Sequence, residues 1–375
     1  MGEALKIKFR NSNAGWINKK NDPNNKNLVF IKNIFHLLQR GESVWLDADR
    51  KIRKQELTKN NGSKPSIFFR SGGTSGSKKW VEHNENSIEA AVKSLLSSLN
   101  EEEISSWCCL PLNHVGGMMQ VFRAIYSDGK VLFSDYRKLL EEIPSSLVDN
   151  QWLSLVPTQL HNLLSIKIGC ENLRRFKGIF IGGAAISENM AIKCRNENIP
   201  IFPTYGMSET AGMVTILGTE SFHNGQLGVG KVLPHAQLVV DTLDKRISVK
   251  SDSMCLNLPD KNDWLKTPDY GQRDKSGNWF IDGRIDRFII SGGEKVNPFI
   301  LENILNQNEL VDECLVVGLD DQKWGKKVVC YITPQNIKRE KIIEYTRKNV
   351  EPHMMPKEWH FVKRLPLNKM GKPNI

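Results

Sequence analysis

The sequence predicts an α/β protein: a large N-terminal α/β domain with layered sheets, a β-rich subdomain, and a small α+β domain at the C-terminus. Three observations carry this expectation. From residue 66 onward, short apolar runs end in glycine-rich or polar loops, with helical patterns between several of them. After about residue 218 the texture changes to short strands joined by turns. After Arg284 comes a compact tail of roughly ninety residues, at the lower side of usual domain size.

Taken in order, residues 1 to about 65 are polar, with one apolar helical pattern around Ile31, Phe35 and Leu38. The runs that follow are SIFF before an RSGGTSGS loop, SSWCCLPL before NHVGG, and QWLSLV before PTQ. FKGIFI before GGAAIS and IPIFPTY before GMSETAG continue the series, and QLHNLLSI and ISENMAIKCRNEN supply helices between strands. Repetition of strand, loop and helix predicts a sheet whose loops gather at one edge, where ligands bind beyond the carboxyl ends of the strands. GQLGVGKVLPHAQLVV, RISVKSD and NWFIDGR then read as short strands. The tail contains FIISGGEKVNP, a helix FILENILNQN, strands ECLVVGL and KKVVCYITP, and a helix IKREKIIEYTRKN. The expected division is residues 1–285, with the β-rich part at about 219–285, and residues 286–375.

A chain of 375 residues, 39% hydrophobic and 25% charged, has ample material for a globular core. No run approaches the ~18 apolar residues of a membrane span, and the N-terminus lacks a secretory apolar core. Seven cysteines without C-x-x-C spacing argue against a disulfide framework or a zinc site, and Cys108 and Cys109 read as small core residues. A cytoplasmic protein is expected. The net charge of +10 is spread along the chain, which fits a solvated surface with general anion attraction rather than a nucleic-acid groove.

The segment between Arg70 and Lys79 is built from glycine, serine and threonine and closes on two lysines. It fits neither the Walker template nor G-x-G-x-x-G. Ser75-Gly76-Ser77-Lys78 does match the S-x-x-K of serine acylases, with SDS at 251 and KTP at 266 as loose echoes. Ser253 and Pro268 break those later motifs. Small residues expose backbone N–H groups and hydroxyls add donors, so the loop suits phosphate; a plain surface turn has the same composition.

The stretch from Ser71 through Gly72, Gly73, Thr74, Ser75 and Gly76 to Lys79 resembles the phosphate-binding loop of acyl-adenylate-forming enzymes. This is the ANL superfamily of acyl-CoA synthetases, peptide-synthetase adenylation domains and luciferases. Gly72 and Lys78 depart from its usual T-S-G-T-T-G-x-P-K. Five further motifs follow in the family's order between residues 111 and 372. The resemblance implies the ANL-type fold with a mobile C-terminal domain, ATP, Mg²⁺ and CoA as cofactors and co-substrates, and a carboxylic acid as substrate. It places adenine against Gly182, Gly183 and Ala184, with Tyr205 and Gly206 beside it. Ser208 then touches phosphate, and Glu209 holds Mg²⁺ with Thr74 as a second candidate. Asp269 and Arg284 fall on the ribose motif, Asp286 on the hinge, and Gly292 and Gly293 on the loop lining the pantetheine tunnel. LPLNKMGKP places Lys372 on the catalytic lysine. Family members usually run on past the point corresponding to Ile375.

For the acid, His114 in LPLNHVGG resembles the acyl-pocket motif, which makes it a catalytic and substrate-binding candidate. Nine residues on, Arg123 interrupts an apolar helix face. It reads either as a snorkelling arginine or as the fork for a second carboxylate. H-V-x-G followed by that arginine, after a short N-terminal region, is similar to the o-succinylbenzoate–CoA ligase branch of the superfamily. That branch acts in menaquinone and phylloquinone synthesis. Thr158, Gly182 and Thr215 are further pocket candidates. A ligase for another short or aromatic acid, and a non-catalytic anion-binding protein of the same fold, stay open at this point. Partners are expected to be small molecules, with no nucleic acid and a homodimer left open.

Overall fold

The computed structural model of the chain describes residues 26–47, 52–54, 65–71, 79–258, 264–334 and 338–367. Its first four strands are β1 (Val44–Leu46), β2 (Ile52–Lys54), β3 (Ile67–Ser71) and β4 (Lys79–His83), in the order β2-β1-β3-β4. β3 and β4 are antiparallel, with Ile67 opposite His83 and Ser71 opposite Lys79. The two ends of the 72–78 segment are thereby held as register partners. The SIFF run therefore does not join the main sheet, as the repeating pattern predicts, but builds a small sheet of its own. The reason is local: an antiparallel partner needs only a short connection, whereas a parallel one needs a crossover. Helices Lys26–Gln39 and Glu85–Leu99 cover this sheet, and Ile31, Phe35, Ile67, Phe69 and Ile88 share its core. Each such side chain contributes about 1.5–3 kcal/mol on burial.

The main sheet contains β5 (Ser106–Cys108), β6 (Val131–Phe133), β7 (Trp152–Leu155), β8 (Gly178–Ile181), β9 (Ile201–Met207), β10 (Gly212–Ile216) and β11 (Lys231–Val232). Their order is β11-β10-β9-β8-β7-β5-β6, with β5 to β9 all parallel. The chain leaves β5 toward β6 and then returns to β7 on the other side of β5. That reversal is the switch point at which open α/β sheets hold ligands. Side chains alternate along each strand. Leu153, Leu155, Ile179 and Ile181 face helices Pro157–Leu164, Lys167–Leu173 and Glu188–Asn196. Trp152, Phe180 and Phe202 occupy the opposite face. Helix Val115–Tyr126, buried nearly all round, lies between that face and the small sheet's core.

β12 (Ala236–Val240), β13 (Arg246–Ser251), β14 (Leu265–Arg273) and β15 (Trp279–Arg284) form an antiparallel sheet in that order. Thr267-Pro268-Asp269 lies inside β14. Proline cannot donate to a ladder, and the register between β13 and β14 shifts at this place, between Arg246 and Ser248. Arg246 donates twice to the Thr267 carbonyl, at 3.1 and 3.0 Å, in place of regular pairing.

The tail holds β16 (Ile289–Ser291), β17 (Glu294–Val296), helix Pro298–Asn306, β18 (Val311–Asp321), β19 (Gly325–Pro334), helix Arg339–Asn349 and β20 (Glu358–Phe361). It has a core of its own, with Ile289, Val296, Leu301, Val316, Val328 and Ile332. It meets the larger part through His161 Nε2, 3.3 Å from Asp312 Oδ2, and through Asn189, which donates to the Asn306 carbonyl at 2.5 Å. Among the described residues, no helix is long and apolar enough to cross a membrane.

Candidate active site

One sequence-predicted group lies at the carboxyl edge of the main sheet, and a second lies against one of its faces. The first starts at Gly182, just past β8. A Cβ there would stand 2.9 Å from Thr204 Oγ1, so the backbone lies flat against β9. Gly183 has φ +84°, which L side chains rarely adopt, and Gly183, Ala184 and Ala185 are exposed as an open strip. On the neighbouring strand, a Cβ at Gly206 would lie 2.0 Å from the Gly212 carbonyl oxygen, so only glycine fits. Ser208-Glu209-Thr210 form one 3₁₀ turn, closed by Ala211 in the left-handed region.

Tyr205 is buried and its hydroxyl donates to Asp269 Oδ2 at 2.7 Å. Asp269 and Arg284 are direct register partners on β14 and β15, and Arg284 Nη1 reaches Asp269 Oδ1 at 3.4 Å. The other edge of the same guanidinium holds Asp286, with Nε–Oδ1 3.0 Å and Nη2–Oδ2 2.7 Å. One arginine thus joins the predicted ribose carboxylate to the predicted hinge. Burial pushes the Asp269 carboxyl above the ordinary range, while the Tyr205 hydroxyl and the Arg284 cation oppose that rise.

The second group lies below the strip, between the sheet and helix Val115–Tyr126. Arg123 is only 5% exposed, and its guanidinium carbon stands 5.1 Å from the centre of the Phe180 ring. Phe180 is stacked on Trp152 at 4.8 Å. Among the described residues the Arg123 guanidinium has no carboxylate partner, and burial lowers its pKa to about 10. Phe180 and Gly182 share a strand face, two residues or ~7 Å apart. The cation thus lies against the ring of Phe180, two residues before the glycine strip that follows the same strand. Thr215, fully buried on β10, has a hydroxyl without a hydrogen-bond partner among the described residues. His114, half-buried, directly precedes the helix at the switch-point loop after β5. Thr158 belongs to the helix covering the opposite face and does not join this group.

Ser71 ends β3 and exposed Lys79 begins β4. Gly72, Gly73, Thr74, Ser75, Gly76 and Lys372 lie outside the described residues. Glu209 is half-buried, and its carboxylate makes no hydrogen bond or ion pair among the described residues. No cluster of three metal-ligating side chains occurs among the described residues. A single carboxylate of this kind fits Mg²⁺, which takes one or two carboxylates and completes its shell with phosphate oxygens and water. Gly292 and Gly293 form the β16–β17 hairpin turn, with φ +60° and +86°, against Trp324.

Sequence reading misses three residues here. Phe180 and Trp152 look like ordinary strand aromatics, and only the fold puts Phe180 against Arg123 and Trp152 against Phe180. His83 is fully buried, with Nε2 2.7 Å from the Ser208 carbonyl oxygen and Nδ1 3.1 Å from Ser87 Oγ. Burial lowers its pKa to about 4, so the ring is neutral at ordinary pH.

Residues 12–249 match the AMP-binding enzyme family, and residues 301–372 match the AMP-binding enzyme C-terminal domain. A 2-succinylbenzoate–CoA ligase of Listeria monocytogenes is 29% identical over 321 residues, covering 82% of this chain and 68% of that protein. The Bacillus licheniformis enzyme of the same name is 28% identical over 328 residues, with the same coverage. The fold is similar to o-succinylbenzoate CoA synthetase from Bacillus subtilis in complex with its acyl-adenylate intermediate, at TM-score 0.69 and 25% identity over 82% of this chain and 67% of that one. The Bacillus subtilis enzyme in complex with ATP and magnesium gives TM-score 0.68, 25% identity, and 82% and 68% coverage. With the glycine strip, the Tyr205–Asp269–Arg284 chain and both matched regions in the expected order, this chain belongs to the AMP-binding enzyme family.

Proposed function

We propose that this chain is an ATP-dependent acid–thiol ligase that joins o-succinylbenzoate to CoA through an acyl-adenylate. The observation that carries the choice of acid is Arg123: a buried cation, stacked on Phe180, with no carboxylate partner among the described residues. A buried guanidinium costs stability unless an anion meets it, and its planar fork suits a carboxylate. A diacid supplies one carboxylate for Arg123 and one for the reaction. The relatives named for this reaction support the same reading.

The chemistry follows from what a carboxylate lacks. It is a poor electrophile, and oxide is a poor leaving group. The succinyl carboxylate oxygen first attacks the α-phosphorus of ATP. The bond from that phosphorus to the bridging oxygen breaks, and pyrophosphate leaves with the electron pair. The thiol sulfur of CoA then attacks the acyl carbon of the mixed anhydride and loses its proton, and AMP leaves with the electrons of the broken C–O bond. Charge builds on phosphate oxygens in the first step, so catalysis consists of positioning and neutralisation. In this reading Gly182, Gly183 and Ala184 admit the base, and Tyr205 holds Asp269 to accept from ribose hydroxyls. The segment from Ser71 to Lys79 and Ser208 take the phosphates. Glu209 would hold Mg²⁺, which supplies neutralisation of the triphosphate when bound. His114 lines the acyl side, and Lys372 brings positive charge to the forming bond. The tail swings about Asp286 between steps and presents Gly292 and Gly293 to the thiol. All seven cysteines are free thiols, which fits a reducing cytoplasm.

The test is ATP–pyrophosphate exchange over a panel of aromatic mono- and diacids, repeated with CoA and thioester detection. o-Succinylbenzoate is expected to give the highest rate and a CoA thioester; its ranking last would refute the assignment.

Asp269 gives a second expectation. A carboxyl group accepts from both ribose hydroxyls, one at each oxygen, only when ionised, and the Asp269 pKa stands above the usual ~4. AMP affinity should therefore weaken on acidification at a higher pH than an ordinary aspartate would produce. Asp269→Asn should lower affinity at neutral pH by about tenfold or more and abolish that pH dependence, as read by titration calorimetry.

A further inference from the structure

β4 is an edge strand of the small sheet, so the backbone groups on its outer side have no strand to pair with. They are paired nonetheless. Asn257 Oδ1 accepts from the Glu82 N–H at 2.9 Å, and Asn257 Nδ2 donates to the Trp80 carbonyl at 2.8 Å. The Leu256 N–H donates to the Glu82 carbonyl at 2.9 Å. A single exposed amide side chain thus imitates a neighbouring strand.

The same short segment grips the Ser208-Glu209-Thr210 turn from the other side. The Cys255 N–H donates to the Glu209 carbonyl at 2.8 Å, and Ser253 Oγ donates to the Thr210 carbonyl at 2.8 Å. His83 closes the triangle directly, since its Nε2 bonds the Ser208 carbonyl at 2.7 Å. A carbonyl oxygen can only accept, so Nε2 carries the proton. In the neutral ring Nδ1 is then an acceptor, 3.1 Å from Ser87 Oγ, whose one proton also faces the Asn84 carbonyl at 3.1 Å. Three consecutive carbonyls of the turn, at residues 208, 209 and 210, are therefore each held from outside it. One of those holds comes from the strand that emerges from the 72–78 segment.

We infer that His83 and Asn257 are positioning residues that fix the Ser208–Glu209 turn relative to the strand leaving the phosphate loop, and thereby set the affinity for a metal-bound triphosphate. The inference rests on the proposed roles of Ser208 and Glu209. Neither His83 nor Asn257 touches the nucleotide; each acts through backbone that does. Without the link, the turn that carries Glu209 is free to shift against β4, and a metal ion that Glu209 would hold loses a preformed ligand position.

The experiment titrates Mn²⁺ into protein with and without α,β-methylene-ATP, following bound Mn²⁺ by electron paramagnetic resonance, and measures metal-free analogue binding separately. In His83→Leu, Mn²⁺ affinity with the analogue present is expected to fall about tenfold, the scale of one lost hydrogen bond to a backbone group held in place. His83→Gln, whose amide nitrogen reaches the Nε2 position, should recover most of that loss. Asn257→Ala, at an exposed site and therefore safe for folding, should lose about threefold. Metal-free analogue affinity, which involves Ser208 but no metal, should fall by a smaller factor than Mn²⁺ affinity in all three. The inference is overturned if Mn²⁺ affinity is unchanged in His83→Leu and Asn257→Ala, or if metal-free affinity falls by the same factor. A parent protein that binds the analogue but recruits no Mn²⁺ would instead overturn the metal role of Glu209, and the inference with it.

Discussion

Replacing Arg123 by methionine is expected to raise the KM for o-succinylbenzoate by about a hundredfold while making the unliganded protein more stable. Hydrogen bonds to charged groups contribute about 1.5–3 kcal/mol each, and a guanidinium fork makes two to a carboxylate. Loss of about 3 kcal/mol corresponds to roughly a hundredfold in affinity. The stability effect has the opposite sign because the cation is buried without a carboxylate partner among the described residues. Replacing such a charge with an apolar side chain of similar volume removes a desolvation cost. The control is 4-oxo-4-phenylbutanoate, which keeps the succinyl carboxylate and the ring but lacks the ring carboxylate. Its KM should change little. Steady-state thioester formation with both acids, and a melting curve without ligands, read all three outcomes. Equal losses for both acids would assign Arg123 to packing against Phe180 rather than to recognition.

Lys372→Ala carries the other large effect. Removing a positive charge from the forming carboxylate–phosphorus bond should slow adenylation by about a hundredfold to a thousandfold, the range for loss of one preorganised electrostatic group. Conversion of pre-made acyl-AMP to thioester should change little, because in the proposed cycle the tail presents its Gly292-Gly293 face in that step instead. Single-turnover measurements of each half-reaction separate the two. Comparable losses in both would contradict the assignment of Lys372 to the first step alone.

The glycine strip, Tyr205, Asp269 and Arg284 could be picked out in the sequence because their motifs resemble those of the family, and the structure adds the backbone geometry and hydrogen bonds that suit those residue types. Gly206 is required by a carbonyl 2.0 Å from where its Cβ would be, and Asp269 by two donors that meet it. Arg123 was legible as an anomaly, a charge on an apolar helix. What held it was not, because Phe180 lies 57 residues away and becomes a neighbour only through the fold. His83 was invisible for the same reason: its partner Ser208 is 125 residues distant. The placement of β3 in a separate sheet also escaped the pattern, since strand-sized apolar runs look alike whether their partners are parallel or antiparallel. Local chemistry can be read from local sequence; long-range pairing has no local signature.

The central claim is that the succinyl carboxylate itself attacks the α-phosphorus. It is tested by turnover of o-succinylbenzoate carrying ¹⁸O only in that carboxylate, with ATP and CoA, followed by mass spectrometry of the nucleotide and phosphate products. One labelled oxygen should appear in AMP and none in pyrophosphate. Unlabelled AMP, or label recovered in inorganic phosphate beside ADP, would mean that activation proceeds through a different bond.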